Sequence, residues 1–319
     1  MRTERVEFFS GDVRIRGLLR LPDTASADPL PALVQGPGWL GLADARGHEP
    51  WHEGFTRAGY AVLAFDYRGF GESDGDRGWV RPDWQLDDWL SAVTYLETRP
   101  DVDGRRLGAY GMGGTGGGTA VLVAAVDSRI RCVAAQTVVA DGADWLHRMR
   151  REYEWVGLKQ RLEADRRRWA LEGTGERVDP WRELMVATPE RQQVGHKKDV
   201  DSRIEPDFYL RSAEYIMRYR PIDFVHRIAP RALLLTSVED DVVTPEDHAL
   251  ALYERAGAPK KLIRQSETSH YRSYTENYPV LVAQIVDWYD RYLKQGPCVP
   301  KEALSTEEVV YLRSADKSS

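Results

Sequence analysis

Two cysteines among 319 residues, Cys132 and Cys298, supply neither a disulfide framework nor a zinc site. A reducing compartment is therefore expected. The chain also lacks an excess of positive charge: its net charge of −6 argues against a nucleic-acid partner. The one dense basic cluster, Arg166-Arg167-Arg168, has acidic residues on either side and reads as a solvated helix face. Long apolar runs are missing too. No stretch approaches the roughly eighteen residues of a membrane span, and MRTERVEFFS has no apolar signal core. Internal repeats and low-complexity segments are also absent. These absences lead to the expectation of a cytoplasmic protein with no membrane partner, acting on a small molecule. A homodimer is the one protein association left open.

What is present is an alternation of short apolar runs with helical periodicity, the pattern of an α/β fold. Val6–Phe9 and Val13–Leu19 read as antiparallel strands joined at Gly11. Ala32–Gln35 and Ala61–Phe65 read as central strands, with a helix over His48–Ala58 between them. Asp83–Thr98 carries Leu86, Trp89, Leu90, Val93 and Leu96 on one face, and Pro100 ends it. Strands follow at Arg106–Tyr110 and Arg131–Thr137, with an apolar helix over Thr115–Val126 between them. From Ala143 to Arg220 the composition shifts to Arg, Glu and tryptophan, a helical segment set into the sheet domain. Strands return at Ala232–Thr236 and Lys261–Gln265, and Val280–Tyr292 forms a last helix. The expected division is a core of residues 1–142 and 221–295, a helical cap of 143–220, and a surface tail of 296–319.

One segment draws attention to chemistry. LGAYGMGGTGGGTA places glycine at six of the eight positions 111–118, between a strand and a helix. Downstream, TSVEDDVVTP follows one strand and SETSHYRSY the next. A glycine-rich elbow, then an acid, then a histidine is the order of nucleophile, acid and base. With GYAVLAFDYRGFGESDG and RPIDFVHRIAPRALLLTSVEDD, these motifs resemble the α/β-hydrolase superfamily, in particular its bacterial esterase- and peptidase-like branch with a helical cap. The resemblance implies a mostly parallel central sheet with helices on both faces and a helical cap inserted mid-chain. It implies His270 as base and Asp240 as acid, with Glu239 and Asp241 as neighbours open to misalignment. A carboxylate on one imidazole nitrogen fixes the tautomer and stabilises the imidazolium that forms.

The sequence then departs from the family pattern twice. Gly113 stands at the nucleophile position and has no side chain with which to form an acyl-enzyme. A shifted pattern, Gly113-Gly114-Thr115-Gly116-Gly117, offers Thr115 as nucleophile, although a β-branched residue suits a strained elbow poorly. The usual His-Gly pair before the oxyanion donor is here Gln35-Gly36, and the donor position is Pro37, which has no N–H. Gly38 or Trp39 would replace that donor if the loop is shifted, with Gly114 supplying the second. The remaining histidines are expected on the surface or on helix faces, His147 being the one nearest the cap.

Three functions follow. The leading one is an enzyme on a small organic carbonyl or ester-type substrate, aromatic and cyclic ones included, in which His270 assisted by Asp240 acts as general base without a serine, by non-covalent hydrolysis or by lyase or isomerase chemistry. The alternatives are a serine esterase whose nucleophile is replaced by glycine, and a non-catalytic ligand-binding scaffold. A dinucleotide-binding oxidoreductase is disfavoured, although Gly111-Met112-Gly113-Gly114-Thr115-Gly116 matches G-x-G-x-x-G. No acid follows within CVAAQTVVA at the end of the next strand. No cofactor or metal is expected.

Overall fold

The structure is a computed structural model that describes residues 1–24, 28–45, 47–185, 188–190, 202–295 and 301–314. The described strands are β1 (Arg2–Ser10), β2 (Val13–Leu21), β3 (Leu30–Gln35), β4 (Ala61–Phe65), β5 (Val102–Met112), β6 (Ile130–Gln136), β7 (Arg177–Val178), β8 (Phe208–Tyr209), β9 (Ala232–Val238), β10 (Lys260–Ser266) and β11 (Glu307–Arg313). All but β7 and β8 join one sheet in the order β1-β2-β4-β3-β5-β6-β9-β10-β11. β1 and β2 pair antiparallel, and β2 pairs antiparallel with β4; every pairing in that sheet from β4 to β11 is parallel.

The central strands are buried on both faces, and that is why they read as continuous apolar runs. Side chains alternate between two cores because successive residues of a strand point opposite ways. Ala32, Val34, Val133, Ala135, Leu233 and Leu235 enter one core, under helices α2 (Pro82–Glu97) and α3 (Gly114–Val126) and the helix Glu246–Arg255. Leu33, Cys132, Ala134 and Leu234 enter the other, under α1 (Glu49–Arg57) and the helix Tyr278–Tyr289. The α/β-hydrolase architecture expected from the motifs is the one observed. Among the described residues no helix is long and apolar enough to cross a membrane.

Two expectations are corrected here. Residues 296–319 are not simply a surface tail: Glu307–Arg313 pairs parallel with β10 and becomes the sheet's edge strand. Its alternation of exposed and half-buried residues is too weak an apolar signal to mark a strand in sequence. Positions 296–300, with Cys298, and 315–319 lie outside the described residues. The histidines expected on the surface or on helix faces divide: His226 is exposed, whereas others turn into the core from their helices. His52 is fully buried, and His48 and His248 are nearly so. His248 accepts the Ala140 amide at Nδ1 and reaches Asp144 through Nε2 at 3.0 Å. His196 lies outside the described residues.

These burials make stability depend on pH. Burial pushes His48 down to about 4, His52 well below its ordinary value, and His248 down as well. All three stay neutral in the fold, whereas the unfolded chain takes up protons as pH falls below about 6.5. Their contribution is therefore complete above that value and shrinks on acidification toward pH 4, by roughly 3 kcal/mol for His48 alone. Buried Asp66 and Asp88, both shifted up by burial, act the opposite way. Urea unfolding at pH 7 and pH 5 checks this; equal unfolding free energies would contradict it.

Candidate active site

Every candidate group sits at the carboxyl ends of the parallel strands, where open α/β sheets bind ligands. β5 ends at Met112 and the chain turns at Gly113 into α3. Gly113 has φ 78° and ψ 157°, a conformation open essentially to glycine alone. Among the described residues beyond its chain neighbours, a Cβ there would meet only the Tyr274 hydroxyl, at 3.9 Å. Gly111 is demanded by packing: its Cβ would lie 2.7 Å from Gly117 Cα, because α3 rests directly on β5. The amide of Gly117 is bonded to the Gly113 carbonyl at 2.7 Å. The amides of Gly114, Thr115 and Gly116 precede the helix's own ladder and face out of its positive end.

His270 belongs to the loop after β10, and its Nδ1 is 2.7 Å from Oδ2 of Asp241. The acid is therefore Asp241, and the expectation of Asp240 is corrected. Asp240 takes φ 55°, a left-handed turn that aspartate tolerates, and stays exposed. That turn swings the next residue inward. Asp241 has a fully buried side chain, and its Oδ1 accepts the amides of Val243 at 2.7 Å and Thr244 at 3.0 Å. A carboxylate so bonded accepts the proton of Nδ1, which leaves the lone pair of His270 on Nε2. Tyr271 and Tyr274 stand edge-on to the imidazole, with centroids at 4.8 and 5.3 Å, and hold its plane.

Tyr274 is not among the residues expected from sequence, yet it joins the site. Its hydroxyl is 3.1 Å from His270 Nε2 and is also hydrogen-bonded to the Thr137 hydroxyl. The turn Arg272–Tyr274 brings this residue, four places after His270, back over the ring; Ser273 fastens the turn to the His270 carbonyl at 2.8 Å. The signal available in sequence is a tyrosine four residues after the base, within SETSHYRSY. Burial raises the Tyr274 phenol well above its ordinary value.

The loop after β3 divides its expected roles. Gly36 is buried against Tyr67 and Trp89, where a Cβ would lie 2.5 Å from the Tyr67 hydroxyl, so a side chain there would displace core packing. Pro37 and Gly38 approach the elbow instead. The Pro37 carbonyl and Gly38 nitrogen each come within 3.2 Å of where a Gly116 Cβ would be. Trp39 stacks edge-on against Trp145 at 5.7 Å. Thr115 stands within α3 and is buried; it is not at the strand–helix corner, and His270 Nε2 engages Tyr274. The shifted elbow is thereby corrected. Among the described residues, Thr115 Oγ1, Thr244 Oγ1 and Trp39 Nε1 are buried without a hydrogen-bond partner. Thr244 Oγ1 is 3.1 Å from where a Cβ on Gly114 would be.

The segment between β6 and β9 contributes α4 (Gly142–Arg148), α5 (Glu152–Glu172), a two-stranded ribbon of β7 (Arg177–Val178) and β8 (Phe208–Tyr209), and α6 (Ser212–Met217). It reaches the site at several points. Trp145 Nε1 donates to the Val243 carbonyl at 2.8 Å, and the Tyr219 hydroxyl donates to the Thr115 carbonyl at 3.0 Å. Glu190 accepts from Ser269 at 2.5 Å beside His270. A surface cavity of about 440 Å³ opens here, with Glu190, Glu239, Asp240, Glu267 and Arg272 among its walls. Among the described residues no group of three or more His, Cys, Asp or Glu is disposed to hold a metal ion.

Comparison with known proteins bears on this geometry. A family model described as X-Pro dipeptidyl-peptidase (S15 family) matches residues 10–272. An uncharacterized 31.7 kDa protein of Escherichia coli, encoded in the traX-finO intergenic region, is 29% identical over 243 residues, 75% of this chain and 83% of that protein. Thiohydrolase aneE of Aspergillus aculeatus is 26% identical over 288 residues, 83% of this chain and 86% of that one. Among solved structures, the α/β-hydrolase GrgF from Penicillium aligns with a TM-score of 0.78 at 20% identity, covering 92% of this chain and 100% of the other.

Proposed function

Starting from a chain that belongs to the X-Pro dipeptidyl-peptidase (S15) family of α/β-hydrolase-fold enzymes, we propose that it hydrolyses a small acyl ester or thioester without forming an acyl-enzyme. The observation that carries this reading is a bonded His270–Asp241 pair beside an elbow whose apex, Gly113, has no side chain. The thioester class is suggested by the relative named a thiohydrolase. The substrate carbonyl sits over Gly113, with its oxygen toward the amides of Gly114 and Thr115 at the α3 terminus. Those amides and the helix dipole hold the tetrahedral oxyanion. A water takes the place of the missing hydroxyl and adds to the carbonyl carbon. Its proton ends on His270, and Asp241 stabilises the imidazolium. Collapse expels the thiol or alcohol, which recovers that proton. Residues 143–220 act as a cap, with Trp145 beside Trp39 giving the chamber an aromatic wall.

The protein should hydrolyse short-chain N-acetylcysteamine thioesters and p-nitrophenyl esters with no burst of thiol or nitrophenol, and a fluorophosphonate should leave its intact mass unchanged. Stoichiometric labelling at Thr115, or failure to hydrolyse any member of either series, would sink the reading.

A further inference from the structure

We propose that the Tyr274 hydroxyl is the catalytic group through which His270 acts, relaying protons between the substrate site over Gly113 and the imidazole. The inference rests on the hydrolytic reading above and adds a residue to it. Three observations carry it. The Tyr274 hydroxyl is 3.1 Å from His270 Nε2, so the lone pair that must receive the proton already faces the phenol. Among the described residues beyond its chain neighbours, the same hydroxyl is the one atom within 4 Å of where a Gly113 side chain would begin, at 3.9 Å. A group seated over the elbow therefore meets the phenol oxygen.

The third observation is Thr137, whose hydroxyl bonds to that of Tyr274. Tyr274 spends its single proton on Nε2, so its oxygen accepts from Thr137 and keeps one lone pair for a water. Thr137 has φ 47°, a left-handed conformation that is strained for a β-branched residue. Strain of that kind persists where neighbouring structure over-determines it, and here it places the Thr137 hydroxyl behind the phenol.

The step balances without a further reactant. As the water oxygen bonds to the acyl carbon, a water proton passes to the Tyr274 oxygen and the Tyr274 proton passes to Nε2. Tyrosine stays neutral and His270 becomes imidazolium. When the bond from carbon to sulfur or oxygen breaks, the leaving group takes the Tyr274 proton and the imidazolium restores it. Phenolate never accumulates, which suits a phenol whose burial opposes ionisation.

The test uses the full chain and S-butanoyl-N-acetylcysteamine, with p-nitrophenyl acetate as a second probe. Tyr274→Phe should keep its fold by circular dichroism and lose about 100-fold in kcat, within the usual range for a general acid–base group. His270→Gln should lose as much or more, and the double variant should be no slower than His270→Gln, because the two residues act in one relay. Wild-type turnover in Tyr274→Phe, with His270→Gln inactive, overturns the relay and leaves the hydrolytic reading standing. Undiminished turnover in both variants, or no turnover by the unaltered protein, overturns both. An acyl adduct on Tyr274 in the intact mass also overturns both, since the phenol would then be a nucleophile.

Discussion

If the proposed hydrolysis holds, His270→Ala is expected to lower kcat for thioesters by about 10³-fold or more and Asp241→Asn by about 10²–10³-fold, while Asp240→Asn should stay within about twofold of wild type. The first two lose the proton acceptor and the group that fixes its tautomer. The asparagine at 241 still fits the turn, yet its amide supplies no charge to stabilise the imidazolium. Asp241 also ties down the amides of Val243 and Thr244, so Asp241→Asn is the safer variant than Asp241→Ala for keeping the loop. Asp240 is exposed at the turn and touches neither ring nitrogen. The order of the three effects is the informative result. Steady-state kinetics on matched, folded variants would read it directly. Loss of turnover in Asp240→Asn with a tolerant Asp241→Asn would reverse the assignment of the acid.

Gly113→Ser is the second large effect, and it separates the leading mechanism from a serine hydrolase whose nucleophile has been replaced. The backbone at Gly113 lies where non-glycine residues are strained, so the serine variant should be destabilised by about 1–3 kcal/mol. Its hydroxyl would also occupy the space assigned to the carbonyl and the attacking water. Turnover of the thioester should then fall by about 100-fold, as expected when reacting groups are misplaced by an ångström or so. The opposite outcome, faster cleavage of p-nitrophenyl acetate with stoichiometric fluorophosphonate labelling at residue 113, would favour the replaced-nucleophile alternative.

Much of this site was legible in sequence because chain order and strand context were enough. The elbow, the loop after β9 and the loop after β10 each follow an apolar run, and a parallel sheet brings the carboxyl ends of such runs to one edge. His270 and the bare Gly113 are therefore legible in the sequence itself. The choice among Glu239, Asp240 and Asp241 could not be made in this way. Three acids in a row are equivalent in composition, and a single left-handed residue decides which one turns inward. Tyr274 escaped for a related reason: the four-residue spacing from His270 becomes a contact only because a tight turn follows the histidine. The edge strand Glu307–Arg313 was missed because an edge strand needs few apolar residues, and its partner β10 lies forty residues earlier or more.

The sequence by itself determined the fold class, the order of the functional loops, the absence of a side chain at Gly113 and the absence of an N–H at Pro37. These follow from local chemistry and from burial patterns, which short segments carry within themselves. Only the tertiary structure decided which acid meets His270, that Gly36 serves the Tyr67–Trp89 packing, and that a tyrosine hydroxyl stands beside the imidazole over the empty elbow. Each of those depends on a backbone turn or a long-range approach of about 3 Å between segments, and no local pattern of residues encodes such a distance.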